Sequence, residues 1–238
     1  MRTFGLIGKD LSHSFSQQYF QKKFYKEGIK DCQYLNFDIN NISTLNKLIQ
    51  ENNIKGLNVT IPFKEQVIPF LDERSEEAKQ VGAVNTIKIC EERLIGYNTD
   101  IFGFENSLLP ILKKRRKAIV LGNGGVSKAV QFVLKKNNIN FIIISRSSVI
   151  SFLDVSYEMI QENEIIINTT PLGMHPKTEY YPDIPYNALN SKHLLYDLVY
   201  NPKESKFLRY GKARDVQIKN GEEMLYLQAE ESWKIWNI

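Results

Sequence analysis

Short apolar runs alternate along the chain with segments whose apolar positions recur every three to four residues. This alternation predicts βα units feeding a largely parallel sheet, an α/β fold. In the first part of the chain, residues 3–7, 33–37 and 56–60 read as strands, with helices around residues 16–27 and 41–52 between them. Two further strands are expected at residues 84–89 and 93–97, separated by the turn-prone Glu91-Glu92. A second series begins at Ala118, with strands at residues 118–121, 141–144, 165–167 and 194–199. The helix after the first of these places Val126, Ala129, Val130, Val133 and Leu134 at i, i+3, i+4, i+7 and i+8, a buried stripe. A last helix is expected over residues 222–236, with Leu225, Gln228, Ala229, Ser232 and Trp233 on one face. Gln228 among apolar neighbours needs hydrogen-bond partners, which a nearby backbone group would supply.

The break between the two series puts a domain junction within residues 99–117, and 238 residues suit two modest domains or one large one. With 42% hydrophobic and 24% charged residues, the composition is that of a soluble globular protein. Cys32 and Cys90 form no C-x-x-C pair, so a reducing, cytoplasmic compartment is expected. Met1-Arg2 runs directly into the first strand, which leaves no room for a secretory signal, and no apolar stretch is long enough to span a bilayer. The net charge of +4 suits an anionic ligand. The basic run at residues 113–117 lacks interleaved aromatics and leads into an apolar strand; it reads as a solvated connection, not a nucleic-acid arm.

Leu121-Gly122-Asn123-Gly124-Gly125-Val126-Ser127 joins a strand to a helix. The first glycine permits the tight turn, the second lets the backbone approach a pyrophosphate, and the free N–H groups at the helix start face the anion. Ser127 occupies the usual third-glycine position, where a small side chain still allows helix and strand to pack closely. Gly122, Asn123, Gly124, Gly125 and Val126 are therefore expected to bind a dinucleotide. NAD sites place an acid at the end of the following strand, whereas this chain has Ser145-Arg146-Ser147-Ser148. With no carboxylate there and a guanidinium offering paired donors, Ser145, Arg146 and Ser147 point to the 2′-phosphate of NADP.

A nicotinamide cofactor implies hydride transfer, and reducing a ketone also needs an anchored substrate and a proton donor at the carbonyl oxygen. A sheltered lysine with a carboxylate partner meets the last need. Lys64 and Asp100 are of the right types, but a lysine is ordinarily solvated, an aspartate in Asn98-Thr99-Asp100 is ordinarily a cap or turn residue, and spacing does not bring the two together.

Asn58-Val59-Thr60-Ile61-Pro62-Phe63-Lys64-Glu65 resembles the N-V-T-x-P-[FYH]-K segment of the shikimate dehydrogenase family. Gly82-Ala83-Val84-Asn85-Thr86 and Gly96-Tyr97-Asn98-Thr99-Asp100 resemble its next two motifs, and His13-Ser14-Phe15-Ser16 its H-S-x-S. Gly122-Asn123-Gly124-Gly125 fits its glycine loop, and Ser145-Arg146-Ser147 its N-R-T. The pattern continues through Asn168-Thr169-Thr170-Pro171-Leu172-Gly173-Met174, Tyr196-Asp197-Leu198-Val199-Tyr200 and Gly221-Glu222-Glu223-Met224-Leu225-Tyr226-Leu227-Gln228, so the matches run in order along nearly the whole chain.

The resemblance implies two α/β domains with the active site in the cleft between them. Residues 1–100 would form a substrate-binding domain completed by the C-terminal helix at 222–238, and residues 101–221 a Rossmann-like NADP-binding domain. It implies NADPH-dependent reduction of 3-dehydroshikimate to shikimate, a step toward chorismate and the aromatic amino acids. Lys64 and Asp100 would be the catalytic pair, with Lys64 delivering the proton. Ser14, Ser16 and Tyr200 would hold the substrate carboxylate, and Thr60, Asn85 and Gln228 the ring hydroxyls. Asn168, Thr169 and Gly221 would lie near the cofactor, with Met174 beside them.

The chain departs from the family pattern at Gln17, Phe20 and Ile101, and both the asparagine and the threonine of N-R-T are serines here. Three histidines without ligand spacing, His13 and His175 among them, give no metal site. Competing readings are an NAD-dependent quinate/shikimate dehydrogenase, a non-catalytic relative that binds shikimate or nucleotide, and a basic nucleic-acid module. The expected partners are a small-molecule substrate and at most a second copy of the chain, with neither nucleic acid nor membrane.

Overall fold

The structure, a computed structural model, describes residues 1–11 and 14–238, and the chain divides into two compact units. The first comprises residues 1–99 and 229–238, the second residues 100–228.

The first unit carries β1 (Arg2–Gly8), α1 (Phe15–Glu27), β2 (Cys32–Asp38), α2 (Leu45–Asn52), β3 (Ile54–Val59), α3 (Phe63–Gln66), β4 (Glu73–Arg74), α4 (Glu76–Val81), β5 (Thr86–Cys90) and β6 (Arg93–Tyr97). Its six strands lie in the order β2-β1-β3-β5-β6-β4. β1 runs parallel to β2 and β3, as βα connections demand, whereas β5 is antiparallel to both β3 and β6. Glu91 and Glu92 close the β5–β6 hairpin with φ of 50° and 67°, the left-handed pair that a two-residue turn needs to match strand twist. The helix expected at residues 41–52 starts later, because Asn41 accepts from Ser43 N at 3.0 Å and caps a 3-10 turn that precedes α2.

β1 is apolar on both faces because both are covered. On one side Phe4 and Leu6 pack with Phe20, Phe24, Tyr34 and Trp236. On the other, Ile7 packs with Leu45, Leu57, Phe63, Val84 and Ile87. Phe20 and Tyr34 stack with ring centroids 4.5 Å apart. Trp236 donates from Nε1 to the Ile87 carbonyl at 2.9 Å and lies flat on Gly56, where a Cβ would stand 2.4 Å from the indole.

α5 (Thr99–Leu112) leads into the second unit, which holds β7 (Lys117–Leu121), α6 (Gly125–Lys136), β8 (Asn140–Ile144), α7 (Tyr157–Glu162), β9 (Ile165–Asn168), β10 (Leu194–Asp197), α8 (Lys206–Lys212) and β11 (Gln217–Lys219). α9 (Glu222–Asn237) starts in this unit and ends in the first. The five strands are parallel, in the order β11-β10-β9-β7-β8. The winding reverses between β7 and β9, and the carboxyl ends of strands at such a switch point open onto a crevice that suits a ligand. Ile119, Leu121, Ile144, Ile166, Leu195 and Phe207 form the core of the unit. On α6 the expected stripe is buried at Ala129, Val130, Val133 and Leu134, and half-buried at Val126.

The strand expected at residues 194–199 stops at Asp197, because Val199 N bonds the Asp197 carboxylate at 3.0 Å and leaves the ladder. The basic run is not uniformly solvated. Arg115 is only 5% exposed, and its guanidinium donates to the carbonyls of Ile111, Lys192 and His193 and to Gln217 Oε1 at 2.7–3.2 Å. A planar five-donor group clamps several loop carbonyls at once, and that compensates its burial.

Candidate active site

In the first unit, Ser14, Ser16 and Thr60 follow the carboxyl ends of β1 and β3, and Asn85 immediately precedes β5. Ser14 is the N-cap residue of α1 but makes no side-chain cap, and its buried Oγ finds no partner among the described residues. Ser16 lies beside the Tyr34 phenol, which donates to Asn58 Oδ1 at 2.8 Å and which burial pushes well above its ordinary range. Thr60 follows β3; its N–H donates to the Ile7 carbonyl at 2.9 Å, and its methyl lies where a Cβ on Gly8 would be. Lys64 is half-buried on α3. Phe63, 1% exposed, anchors that short helix, and Val84 N donates to the Lys64 carbonyl at 2.8 Å. His13 lies outside the described residues.

Asn85 is buried in a polar cluster that sequence reasoning largely missed. Its Oδ1 accepts from Thr99 N at 2.7 Å and its Nδ2 donates to Thr99 Oγ1 at 3.0 Å, which pins the start of α5. Thr86 Oγ1 and Thr99 Oγ1 reach Ser232 Oγ at 2.8 and 3.1 Å, and Asn58 Nδ2 donates to the same hydroxyl at 2.9 Å. Three buried polar side chains thus meet one serine of α9. The available signal was Ser232 on the apolar face of that helix, since a buried hydroxyl needs company. Asp100 follows Thr99 in the first turn of α5 and is buried.

In the second unit, the loop after β7 has the shape its glycines require. Gly122 adopts φ +106°, and a Cβ there would strike Thr169 Oγ1 at 2.7 Å. Gly124 faces open space and caps α6 without any side-chain bond, so the first N–H groups of the helix remain available. Ser127 is fully buried and donates to the Gly122 carbonyl at 2.8 Å, so the serine closes the turn where a third glycine is usual. Ser145 is buried at the end of β8, and its Oγ accepts from Ser147 N and Ser148 N at 3.2 and 3.0 Å. This tight turn leaves Arg146 and Ser147 exposed. An exposed guanidinium on a loop of serines, with an open glycine turn after the neighbouring strand, fits a 2′-phosphorylated dinucleotide.

Asn168 Nδ2 donates to Asp197 Oδ1 at 2.9 Å and to the Leu172 carbonyl at 3.2 Å, while its Oδ1 accepts from Thr170 N and Oγ1 at 3.1 and 2.6 Å. Thr169 N and Oγ1 both donate to the Leu121 carbonyl, which ties this loop to the glycine turn. Ser205 Oγ, itself the cap of α8, donates to Asp197 Oδ2. Asp197 is fully buried, and burial raises its carboxyl to about 6 against the bonds from Ser205, Val199 and Asn168. Asp197 lies within the Tyr196–Tyr200 motif, where the sequence alone assigns it no role. Tyr200 is half-buried, with its phenol pushed upward by burial. Gly221 packs where a Cβ would meet the Leu198 carbonyl at 2.1 Å. Gln228 donates from Nε2 to the Leu225 carbonyl at 2.9 Å, the nearby backbone partner expected for it, and its Cβ borders Gly103. Met174 is exposed.

The shikimate dehydrogenase substrate binding domain matches residues 6–87. The shikimate dehydrogenase (NADP(+)) of Clostridium beijerinckii is 40% identical over 252 residues, covering 99% of this chain and 92% of its own length. The chain belongs to the shikimate dehydrogenase family. Shikimate dehydrogenase 1 of Peptoclostridium difficile superposes with a TM-score of 0.88 at 36% identity, over 100% of this chain and 92% of that one. The shikimate 5-dehydrogenase of Thermus thermophilus, solved with NADP(H) and shikimate, gives a TM-score of 0.87 at 29% identity, over 99% and 93% of the two chains. Shikimate dehydrogenase architecture therefore extends through both units. Among the described residues, no helix is long and apolar enough to cross a membrane.

Proposed function

We infer that this chain is an NADP-dependent shikimate dehydrogenase, an oxidoreductase that reversibly reduces 3-dehydroshikimate to shikimate on the route to chorismate and the aromatic amino acids. One observation carries this reading: near-complete coverage of curated NADP-dependent relatives at up to 40% identity, in a chain that keeps the Lys64, Asp100 and Arg146 motifs in order. The dinucleotide fits the open turn at Gly122, Gly124 and Gly125, with its pyrophosphate at the start of α6 and its 2′-phosphate on Arg146. When bound, the reduced nicotinamide supplies the hydride.

The protein's own groups do the rest. Lys64 delivers a proton to the alkoxide that develops at the reacting carbon, and Asp100 is its carboxylate partner in that transfer. Ser14 and Ser16 hold the ring carboxylate with Tyr200; the unpartnered Ser14 Oγ at the head of α1 supports this, since a buried hydroxyl there gains a bond when an anion arrives. Thr60, Asn85 and Gln228 serve the ring hydroxyls. Such a site disfavours analogues that lack those hydroxyls, because its buried donors and acceptors would be left unpaired. Asn168, Thr169 and Gly221 lie near the cofactor. Two cysteines without a disulfide support a cytoplasmic setting.

A spectrophotometric assay against shikimate and quinate, each with NADP and NAD, tests the reading. The highest kcat/KM should fall to shikimate with NADP. Turnover confined to quinate with NAD, or no turnover at all, would overturn it.

A further inference from the structure

The two ends of an asparagine amide differ in what they can donate, and the Asn85 carboxamide has its ends fixed. A backbone N–H only donates, so the atom 2.7 Å from Thr99 N must be the amide oxygen. Thr86 Oγ1 donates to that oxygen as well, at 3.2 Å, so both of its lone pairs are met inside the protein. The amino end gives one N–H to Thr99 Oγ1 at 3.0 Å. What Asn85 can offer a ligand is therefore the second N–H of Nδ2, a donor and not an acceptor.

The two threonine hydroxyls are held in turn from α9. Ser232 Oγ lies 2.8 Å from Thr86 Oγ1 and 3.1 Å from Thr99 Oγ1. It also accepts from Asn58 Nδ2 at 2.9 Å. Asn58 is itself oriented, with the Tyr34 phenol on its Oδ1 and the Asn85 carbonyl 3.4 Å from its Nδ2. Asn58, Asn85, Thr86, Thr99 and Ser232 are each 5% exposed or less, so water does not readily make good a bond lost among them. On the same helix Ala229, Trp233 and Trp236 pack in the apolar core. An alanine at 232 would suit that packing; the hydroxyl is explained by the cluster it joins.

We propose that Ser232 is a positioning residue for substrate recognition: through Thr86 and Thr99 it holds the Asn85 carboxamide so that an N–H, and no oxygen, meets the ligand. The site then selects a hydroxyl that turns its lone pair toward Asn85. This rests on the reading of the chain as a shikimate dehydrogenase in which Asn85 serves a ring hydroxyl. Ser232 acts at one remove, through side chains and not on the substrate.

Steady-state kinetics with shikimate and NADP, on Ser232→Ala, Thr86→Val and the double variant, test the proposal beside the ¹H–¹⁵N signals of the Asn85 side-chain amide in the ligand-free protein. Ser232→Ala should raise KM for shikimate by about tenfold, while kcat and KM for NADP move by less than about threefold. Thr86→Val keeps the branched shape and loses the hydroxyl, and it should do the same. The double variant should be no worse than the worse single one, because both act along one path to Asn85. The amide signals should shift in each variant. An unchanged KM for shikimate, a KM for NADP that rises in parallel, or losses that add in the double variant would each overturn the proposal; if Thr86→Val fails to fold, Ser232→Ala decides alone. A wild type that leaves shikimate untouched fails the enzymatic reading, and the amide signals keep that result apart from this one, since they need no substrate. They move in Ser232→Ala if the serine holds Asn85 and stay in place if it does not.

Discussion

Lys64 sits on a helix of four residues, too short to hold a side chain in place by its own hydrogen bonds. Its position comes from Phe63 buried in the core and from Val84 N on the Lys64 carbonyl. A mutation at the ammonium therefore leaves the backbone supported. Lys64→Ala should lower kcat by about 10²–10⁴, the range for losing a general acid, while fluorescence titration shows NADPH binding nearly unchanged. Wild-type turnover in that variant would remove Lys64 from proton delivery. The residue was legible in the chain only through its motif, because a lysine's chemistry depends on its surroundings and composition is silent about those. Arg115 makes the same point from the other side. Within a run of five basic residues nothing marks one as buried, and only the convergence of carbonyls from Ile111, Lys192 and His193 does so.

At the scale of elements, Asp197 ends β10 and fastens three others, through Asn168 of β9, the loop at Thr170 and Leu172, and Ser205 at the cap of α8. Its carboxyl is raised to about 6 from an ordinary 3.8, chiefly by burial. The folded state therefore binds this proton more tightly than the unfolded chain does. The stabilisation is complete below the unfolded value and is lost as pH rises through about 6. Asp197→Asn keeps an oxygen for Asn168 and Val199 and offers an N–H to Ser205, but it does not titrate. Between about pH 4 and pH 7 the wild type should lose on the order of 2–3 kcal/mol of unfolding free energy that the variant does not lose. Urea denaturation of both proteins at the two pH values measures the difference, and equal losses would mean Asp197 does not titrate in that window. The elements themselves were largely readable, since β1, α1, β6, α6 and α9 follow plain periodicities. The short ones, α3, α4, β4 and β11, were not, because four or fewer residues, or six on one exposed helix, hold too little pattern to separate from a loop.

For the whole molecule, a ligand that binds only the folded chain raises its stability by mass action, about 2.7 kcal/mol at a hundredfold excess over Kd. NADP should therefore raise the thermal unfolding midpoint more than NAD does. Arg146→Ala should weaken NADP by about 10–100-fold and remove most of that advantage while leaving the NAD shift in place; an equal loss for both cofactors would refute the 2′-phosphate assignment. The chain by itself determined what depends on near neighbours: strand and helix periods, the left-handed demand at Gly122, the absence of an acid after β8, and the order of the family's motifs. Folding decided what depends on distant partners. Ser232 meets Asn58 across 174 positions, and Thr169 lies where a side chain on Gly122 would be. Among the described residues, only a single bridge from Ile150 lies outside β8. Local periodicity says which face of an element is apolar, but hydrogen bonds and sheet edges depend on which elements come together, and that is set only when the chain closes on itself.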